Sequence, residues 1–277
     1  MGAWLTERLS EFIDVAEFLG KERFVYESGA AVVGTDAYRP HAFVWFHRDL
    51  REEASVPGKL FVVHRDERIV VIDKPPFLST IPRGRHVQQS VVVRLRAELG
   101  LPELSPLHRL DRVTSGLLIL ATEKRWRAPY QTLFQRGEVR KVYRALAAHR
   151  PELNLPVSVS NHLVKRRGHM QAEILTGEPA NSESLVEFER LHGETEAVYR
   201  LTPRTGRAHQ LRMHMWSLGI PISGDPLYPV VRDVSVDDFA HPLHLLASEL
   251  SFADPVDGAS RRFEAARSLP LRSEIEP

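Results

Sequence analysis

The sequence predicts an α+β fold, with one large domain preceded by a short accessory region. Strand-like and helix-like segments alternate irregularly along the 277 residues, which argues against a doubly wound parallel sheet. Hydrophobic residues make up 43% of the chain, enough to bury a substantial core. A polar run containing proline and glycine at 48–58 is the best linker candidate. We therefore predict an accessory region at 1–57 and a large domain at 58–277.

The accessory region begins with apolar residues at helical spacing, which predict one amphipathic helix over 4–19. Three short strand-like segments follow it, at 23–27, 30–34 and 42–47.

The large domain opens with a predicted β-hairpin. Its strands, 59–64 and 69–73, flank four polar residues, and prolines follow the second strand, where they end it because proline cannot donate to a ladder. Periodicity and the glycines that can end helices predict the other elements. Helices are predicted at 87–99, 124–137 and 208–219, and strands at 117–121, 139–148, 184–191, 196–203 and 243–255.

Composition excludes several classes of protein and site. The chain has no cysteine, which excludes disulfides, a thiolate nucleophile and sulfur-ligated metal sites. It has no apolar run long enough for a membrane span, and its first twenty residues carry acidic groups where a signal peptide is basic. We therefore expect a cytoplasmic protein, without membrane association and monomeric.

The charge is unevenly distributed. The net charge is only +1, yet 102–214 holds 18 Lys and Arg against 12 Asp and Glu, so this segment carries +6 and the remainder −5. Phosphate contacts need local positive charge rather than a high overall charge. The pattern favours a polyanionic partner for the middle of the chain, although a solvated arginine-rich surface gives the same count.

Asp111 is the most informative residue. It lies between Arg109 and Arg112, just before the apolar run 117–121, where hydrophobic alternation gives it no role. Taken alone, it fits either a structural ion pair or a reactive carboxylate kept ionised by a neighbouring cation.

Three segments concentrate unusual polar residues: 108–116, 140–146 and 204–214. Together they offer one carboxylate, one tyrosine on a predicted strand and several arginines, without a second acid in similar surroundings. Hydrolysis of a glycosidic bond generally uses two carboxylates. A single carboxylate therefore favours a reaction that does not consume water. Scattered histidines raise the alternative of a metallohydrolase, but none has a metal-binding spacing with a third ligand, and we predict no metal site.

The motifs "HRLDRVTSGLLILA" and "GRAHQLRMHMWSLGIPISGDPLY" resemble two motifs of the RluA-type pseudouridine synthases. "VVIDKPPFLSTIPRG", "RKVYRAL" and "LHLLASELSFADP" resemble further segments of that family, in the same order. The resemblance covers about 57–270, and several ordered motifs are far more specific than one. It implies the pseudouridine synthase fold, with a mixed, mainly antiparallel central sheet flanked by helices and loops.

The resemblance also implies a reaction and its catalytic residues. In this family the glycosidic bond of a uridine in RNA is broken, the base turns over, and C5 is joined to the same sugar carbon, without a cofactor or metal. Asp111 matches the catalytic carboxylate, whether it attacks the sugar, attacks the base or accepts a proton. Arg212 matches its charge partner. Tyr143 matches the active-site tyrosine, although core packing is the usual role of a strand tyrosine.

The same resemblance implies a structured RNA partner, ribosomal or transfer RNA, whose target uridine must be extruded from the helix. Arg109 matches the arginine that fills the vacated space. Thr114, Ser115 and Gly116 are expected to shape the loop, because glycine permits close backbone approach. Further RNA contacts are predicted at Arg83, Arg85, Lys165, Arg166, Arg167, Arg207 and His209.

Two features depart from the family pattern, and one alternative function stays open. Ala208 replaces a hydroxyl residue, and Trp216 is bulkier than expected in its helix. The first 57 residues suggest only weakly a truncated remnant of an S4-type RNA-binding domain. The alternative is an RNA-binding or ribosome-assembly factor that has the fold but does not rely on its chemistry.

Overall fold

A computed structural model describes residues 1–46, 52–82 and 86–271. The chain divides into two compact units, Met1–Glu52 and Glu53–Pro277. The predicted linker at 48–58 lies partly outside the described residues. The assignment of an accessory role to the first unit and a catalytic role to the second stays a proposal.

The first unit contains α1 (Gly2–Leu9), α2 (Val15–Gly20) and an antiparallel pair, β1 (Phe24–Tyr26) with β2 (Val44–Phe46). The prediction of one helix over 4–19 is wrong. Asp14 has an extended backbone and its carboxylate accepts the Glu17 N–H at 3.0 Å, so it starts a second helix instead of continuing the first. The predicted strand at 30–34 forms only an isolated bridge between Ala31 and Val25.

The second unit contains one large sheet and three helices in the described part of the chain. The helices are α3 (Val91–Leu99), α4 (Lys124–Arg136) and α5 (Gln210–Ser217). The strands are β3 (Phe61–Arg65), β4 (Ile69–Lys74), β5 (Ser105–Pro106), β6 (Ser115–Ala121), β7 (Arg140–Ala148), β8 (Val157–Val164), β9 (Glu173–Leu175), β10 (Ser182–His192), β11 (Glu196–Pro203), β12 (Leu245–Ala253) and β13 (Ser260–Glu264). No helix among the described residues is long and apolar enough to cross a membrane.

The sheet is mixed and mainly antiparallel, which confirms the predicted fold class. Its strand order is β3-β4-β6-β12-β7-β11-β10-β8-β9, with β13 paired to β12 and β5 to β6. Only β6 and β12 run parallel among the described pairs. The predicted hairpin is confirmed as β3 and β4. Sequence analysis did not find β5, β8, β9 and β13, which are short or carry polar residues on one face.

The core lies on both faces of the central strands. Successive residues of β4 and β6 alternate between two hydrophobic clusters, one containing Ile72 and Leu118, the other Val71 and Ile119. Burial on both faces explains why these strands read as continuous apolar runs. The helix α3 covers one face and α4 the other, and Gly100 and Gly137 end them in the left-handed conformation.

Gly116 permits the parallel contact of β6 with β12. Its φ is 104°, and a Cβ there would lie 2.3 Å from the carbonyl oxygen of Ala247. Gly116 thus serves close backbone approach as expected, but the prediction that Ser115 and Gly116 shape the loop is wrong, because both residues belong to β6. The contact fixes the start of β6 at Ser115, four residues after Asp111.

Candidate active site

The loop that carries Asp111 is held by buried polar side chains. The Thr80 hydroxyl donates to the Leu110 carbonyl at 3.0 Å and accepts the Leu110 N–H at 3.3 Å. The fully buried Lys74 ammonium donates to the Arg112 carbonyl at 3.1 Å. The backbone on both sides of Asp111 is therefore held by buried side chains of β4 and the loop that follows it, and this pre-positions its carboxylate.

Asp111 faces an open hollow of about 880 Å³, which we call the Asp111 cleft. The cleft is formed by the loop 108–114, the end of α4, the start of β7 and the segment 203–212. Asp111 is the only carboxylate that lines it among the described residues, and its side chain is 37% exposed. A volume of this size is typical of small-ligand sites.

Arg212 connects Asp111 to a second carboxylate. Its Nη1 lies 3.6 Å from the Asp111 Oδ2, while its Nε and Nη2 donate to the two oxygens of Asp225 at 2.7 and 2.6 Å. Arg212 and Asp225 are 2% and 1% exposed. The bidentate pair fixes the plane of the guanidinium and leaves Nη1 directed towards Asp111.

Asp225 is a structural member of the site that sequence analysis did not single out. Its Oδ1 also accepts the N–H groups of Leu227 and Tyr228, so it is fully engaged and shielded from the cleft. Burial alone lowers the pKa of Arg212, but the hydrogen bonds and charge of Asp225, with a smaller contribution from Asp111, raise it overall. Asp225 could have been noticed in the sequence, because it is the acid that follows glycine in "GDPLY", within the motif that resembles the family.

His209 lies beside Asp111 as a neutral imidazole. Its Nε2 is 3.9 Å from the Asp111 Oδ2, and its Nδ1 is within hydrogen-bonding distance, 2.8 Å, of the Tyr228 hydroxyl. Burial lowers the pKa of His209 to about 4, against the opposing effect of the Asp111 charge. The backbone of His209 has a φ of 59°, in a left-handed conformation that few non-glycine residues adopt. His209 lies immediately before the first residue of α5.

Tyr143 lines the same cleft from β7. Burial, and then the negative charge of Asp111, raise the pKa of its phenol, so Tyr143 is neutral and able to donate or to stack. Lys74 lies behind the Asp111 loop, where burial lowers its pKa to about 7 despite the stabilising charge of Asp111. The structure thus brings Asp111, Tyr143 and Arg212 together from three separate motifs.

The two arginines nearest Asp111 in the sequence lie in different surroundings. Arg109 is exposed and lines the cleft, whereas Arg112 turns away and donates to the Val236 carbonyl at 3.2 Å. Arg112 therefore makes no ion pair with Asp111 in the described structure, and the distant Arg212 takes that position. Arg207 lines the cleft and donates from Nε to the Asn181 carbonyl at 3.1 Å.

The remaining predicted RNA contacts lie elsewhere. Lys165, Arg166 and Arg167 are exposed in the loop between β8 and β9. Arg83 and Arg85 lie outside the described residues.

Two histidines near the site have structural roles. His108 accepts the Ile119 N–H at 3.2 Å and stacks on Phe134, and burial followed by the Lys141 charge lowers its pKa to about 3. His214 is fully buried, 3.2 Å from the Ser182 hydroxyl, and burial lowers its pKa to about 4.

Comparison with known proteins identifies the family. The model of the RNA pseudouridylate synthase family matches residues 68–217, which include the Asp111 loop, Tyr143 and Arg212. The chain belongs to this family. It is therefore an isomerase that acts on RNA, and the resemblance seen in the sequence is confirmed.

Curated relatives agree with this assignment. The uncharacterized RNA pseudouridine synthase slr1592 of Synechocystis is 35% identical over 183 residues, 64% of this chain and 60% of the relative. The dual-specificity RNA pseudouridine synthase RluA of Vibrio vulnificus is 33% identical over 203 residues, 70% of this chain and 78% of the relative.

The fold agrees as well. Human RNA pseudouridylate synthase domain containing 1 superimposes with a TM-score of 0.59 at 23% identity, over 79% of this chain and 94% of that structure. At this identity the similarity shows the fold alone.

Proposed function

We propose that this protein converts uridine to pseudouridine in structured RNA and that Asp111 is its reactive group. The observation that carries the proposal is the half-exposed Asp111 carboxylate in the cleft, 3.6 Å from a buried arginine whose other nitrogens are occupied by Asp225. The N1–C1′ bond breaks, the base turns over and the C5–C1′ bond forms. The C5 proton is lost and N1 gains one, so no other reactant is consumed.

The two neighbours of Asp111 have separate roles in this proposal. Arg212 supplies a fixed positive charge beside the carboxylate in a partly closed site, where electrostatic interactions are stronger than in water. Tyr143 stacks on the uracil ring while the base turns over, and its neutral phenol is available for proton transfer near C5. His209, neutral and 3.9 Å from the carboxylate, limits the orientations that Asp111 adopts.

The cleft receives its uridine by base flipping. A base paired within a helix cannot present C1′ and C5 to Asp111, so it must leave the stack at a cost of a few kcal/mol. Arg109 is exposed at the mouth of the cleft, next to Asp111 in sequence, and its guanidinium fills the vacated space in the RNA. The basic residues Lys165, Arg166, Arg167 and Arg207 contact phosphates, and ribosomal and transfer RNA are the proposed substrates.

Release of tritium from RNA labelled at C5 of uridine tests the reaction directly. Purified protein is incubated with unmodified ribosomal and transfer RNA transcripts, and pseudouridines are mapped chemically in the products. We expect release and a new pseudouridine with the natural sequence, and none with Asp111→Asn, because the amide cannot act as a nucleophile or base.

RNA affinity provides the control. Asp111→Asn keeps the size of the side chain, so the dissociation constant for RNA is expected to change by less than about threefold. Turnover by the Asp111→Asn variant would contradict the proposal that Asp111 is the reactive group. RNA binding without turnover by the natural sequence favours the RNA-binding or ribosome-assembly factor instead.

A further inference from the structure

A second hollow lies beside the Asp111 cleft, between α5 and the loop that joins β8 to β9. We call it the Trp216 groove, and its volume is about 610 Å³. Trp216 and Met213 form its helix side, and Met170 and Ile174 its opposite side. Trp216 is 38% exposed and Met170 59%, so a flat aromatic surface and a flexible thioether face solvent across the groove.

The groove and the cleft share one wall. Tyr228 packs its ring 5.7 Å from His209 on the cleft side and 5.8 Å from Trp216 on the groove side, between ring centroids. Its hydroxyl accepts the N–H of Ala172, which lines the groove, at 2.7 Å. The buried Tyr228 therefore lies between a residue of the cleft and a residue of the groove.

The helix α5 sets the distance between them. Met213 and Trp216, three residues apart, share one face of α5, and His209 immediately precedes the helix. Seven residues at 1.5 Å each give about 10 Å along the axis, roughly three stacked base steps of 3.4 Å. An RNA strand with its target uridine in the cleft has a neighbouring base within reach of Trp216.

The rim of the groove is positively charged. Lys165, Arg166 and Arg167 lie on the loop that borders it, and Arg167 makes no ion pair among the described residues. Arg166 and His169 pair with Glu173, at 3.3 and 3.5 Å, and Glu173 lines the groove. Stacking surfaces beside basic residues are the usual arrangement for holding single-stranded RNA.

We infer that the Trp216 groove binds an unpaired base of the substrate RNA, within about three nucleotides of the target uridine, by stacking it on Trp216. The phosphates that flank this base contact the 165–167 loop, and the Glu173 carboxylate accepts from an amino group on the base edge. The groove thereby contributes to the choice of uridine. This inference rests on the proposed function, because it assumes that the cleft holds the flipped nucleoside.

Binding of a labelled oligonucleotide tests the groove without requiring turnover. The probe is a fluorescein-labelled single-stranded RNA of twelve nucleotides, with one central uridine flanked by adenosines, titrated with Trp216→Ala, Trp216→Phe and the natural sequence. Base stacking contributes about 1–3 kcal/mol, so we expect a roughly 5- to 150-fold larger dissociation constant for Trp216→Ala. Trp216→Phe keeps an aromatic face and is expected to bind within about threefold of the natural sequence.

Phe188 supplies a matched control. It is an exposed aromatic residue, 45% accessible on β10, and it lines neither hollow, so Phe188→Ala should leave the dissociation constant unchanged. Tryptophan fluorescence gives a second readout, in which unlabelled probe quenches the natural protein and the Phe188→Ala variant but quenches Trp216→Phe much less. This readout remains informative if Trp216→Ala fails to fold.

Two results separate this inference from the proposed function. Unchanged affinity of a folded Trp216→Ala, or equal quenching of Trp216→Phe and the natural sequence, overturns the groove as an RNA site and favours a protein contact there. Absence of pseudouridine in every RNA treated with the natural protein overturns the proposed function, while the binding result still reports on Trp216. Once the target is mapped, Trp216→Ala should raise KM by a similar factor and leave kcat within about twofold.

Discussion

At the scale of single residues, the site depends on one arginine shared between two carboxylates in different surroundings. Asp225 is buried and fully hydrogen-bonded, while Asp111 is half-exposed and meets Arg212 at 3.6 Å. Because the buried Asp225 orients Arg212, the carboxylate of Asp111 stays open to the cleft. The carboxylate that we propose as the reactive group and the one that positions its charge partner are therefore distinct, although both are aspartates.

Replacing Arg212 should destabilise the protein as well as inactivate it. Arg212→Met leaves Asp225 charged and buried, and losing one partner of such a pair costs about 3–5 kcal/mol. We expect that decrease in the free energy of unfolding, measured by urea denaturation, together with loss of tritium release.

The double variant Arg212→Met with Asp225→Leu separates the two effects. Without an unpaired charge, its loss of stability should be smaller than the sum of the two single variants, while turnover stays absent. If the losses in the free energy of unfolding were additive, the ion pair between Arg212 and Asp225 would be contradicted.

At the scale of elements, the close contact of β6 with β12 requires glycine at 116. A Cβ at Gly116 would lie 2.3 Å from the Ala247 carbonyl oxygen, so Gly116→Ala must displace one strand. We expect a loss of more than about 4 kcal/mol, among the largest that single substitutions cause, or no folded protein in denaturation experiments.

Gly137 provides the matched control for that variant. It also has a positive φ, 72°, but a Cβ added there would have no neighbouring atom within 4 Å. Gly137→Ala should therefore cost only the backbone strain, about 1–2 kcal/mol. Equal costs for the two alanine variants would contradict the close approach of β6 and β12.

At the scale of the whole molecule, residues 53–56 belong to the second unit. The Glu53 carboxylate accepts the N–H groups of Val87, Gln88 and Gln89, and Val56 is 2% exposed within the main core. A fragment that starts at residue 53 keeps these contacts, whereas one that starts at 58, the predicted boundary, loses them.

The two fragments should differ measurably in stability. Burial of Val56 alone contributes roughly 1.5–3 kcal/mol, so the 58–277 fragment should unfold at lower urea concentration than the 53–277 fragment. Turnover by the 53–277 fragment would show that the chemistry resides in the second unit. Equal midpoints of unfolding for the two fragments would contradict the contacts of Glu53 and Val56.

Acid should destabilise the folded protein through its buried histidines. The pKa of His214 is lowered by burial to about 4 from 6.5, so between these values the unfolded chain binds a proton that the folded chain does not. Stability therefore rises with pH across this window and falls as the pH decreases from 6.5 to 4, by up to about 1.4 kcal/mol per pH unit for this residue.

His214→Gln tests that contribution. An amide can still hydrogen-bond to the Ser182 hydroxyl but does not titrate, so the free energy of unfolding should depend less steeply on pH from 6.5 to 4. An identical slope in the two proteins would show that His214 is protonated equally in both states.

Elements and motifs with local signals could be predicted from the amino-acid sequence. Continuous apolar runs marked β4 and β6 because both faces of the sheet are covered, and Gly100 and Gly137 marked helix ends because they adopt positive φ. Ordered motifs gave the family, and with it Asp111, Tyr143 and Arg212 as candidates. The helix at 4–19 was wrong because periodicity does not register that Asp14 caps a new helix.

Which of these residues come into contact depends on the three-dimensional fold. Arg112 is adjacent to Asp111 in sequence yet turns to Val236, whereas Arg212, about a hundred residues later, lies 3.6 Å from the carboxylate. Asp225 was not singled out, because its importance comes from a buried bidentate contact with Arg212 rather than from a local pattern. Ion pairs depend on distance and burial in three dimensions, and neither quantity is carried by a short stretch of sequence.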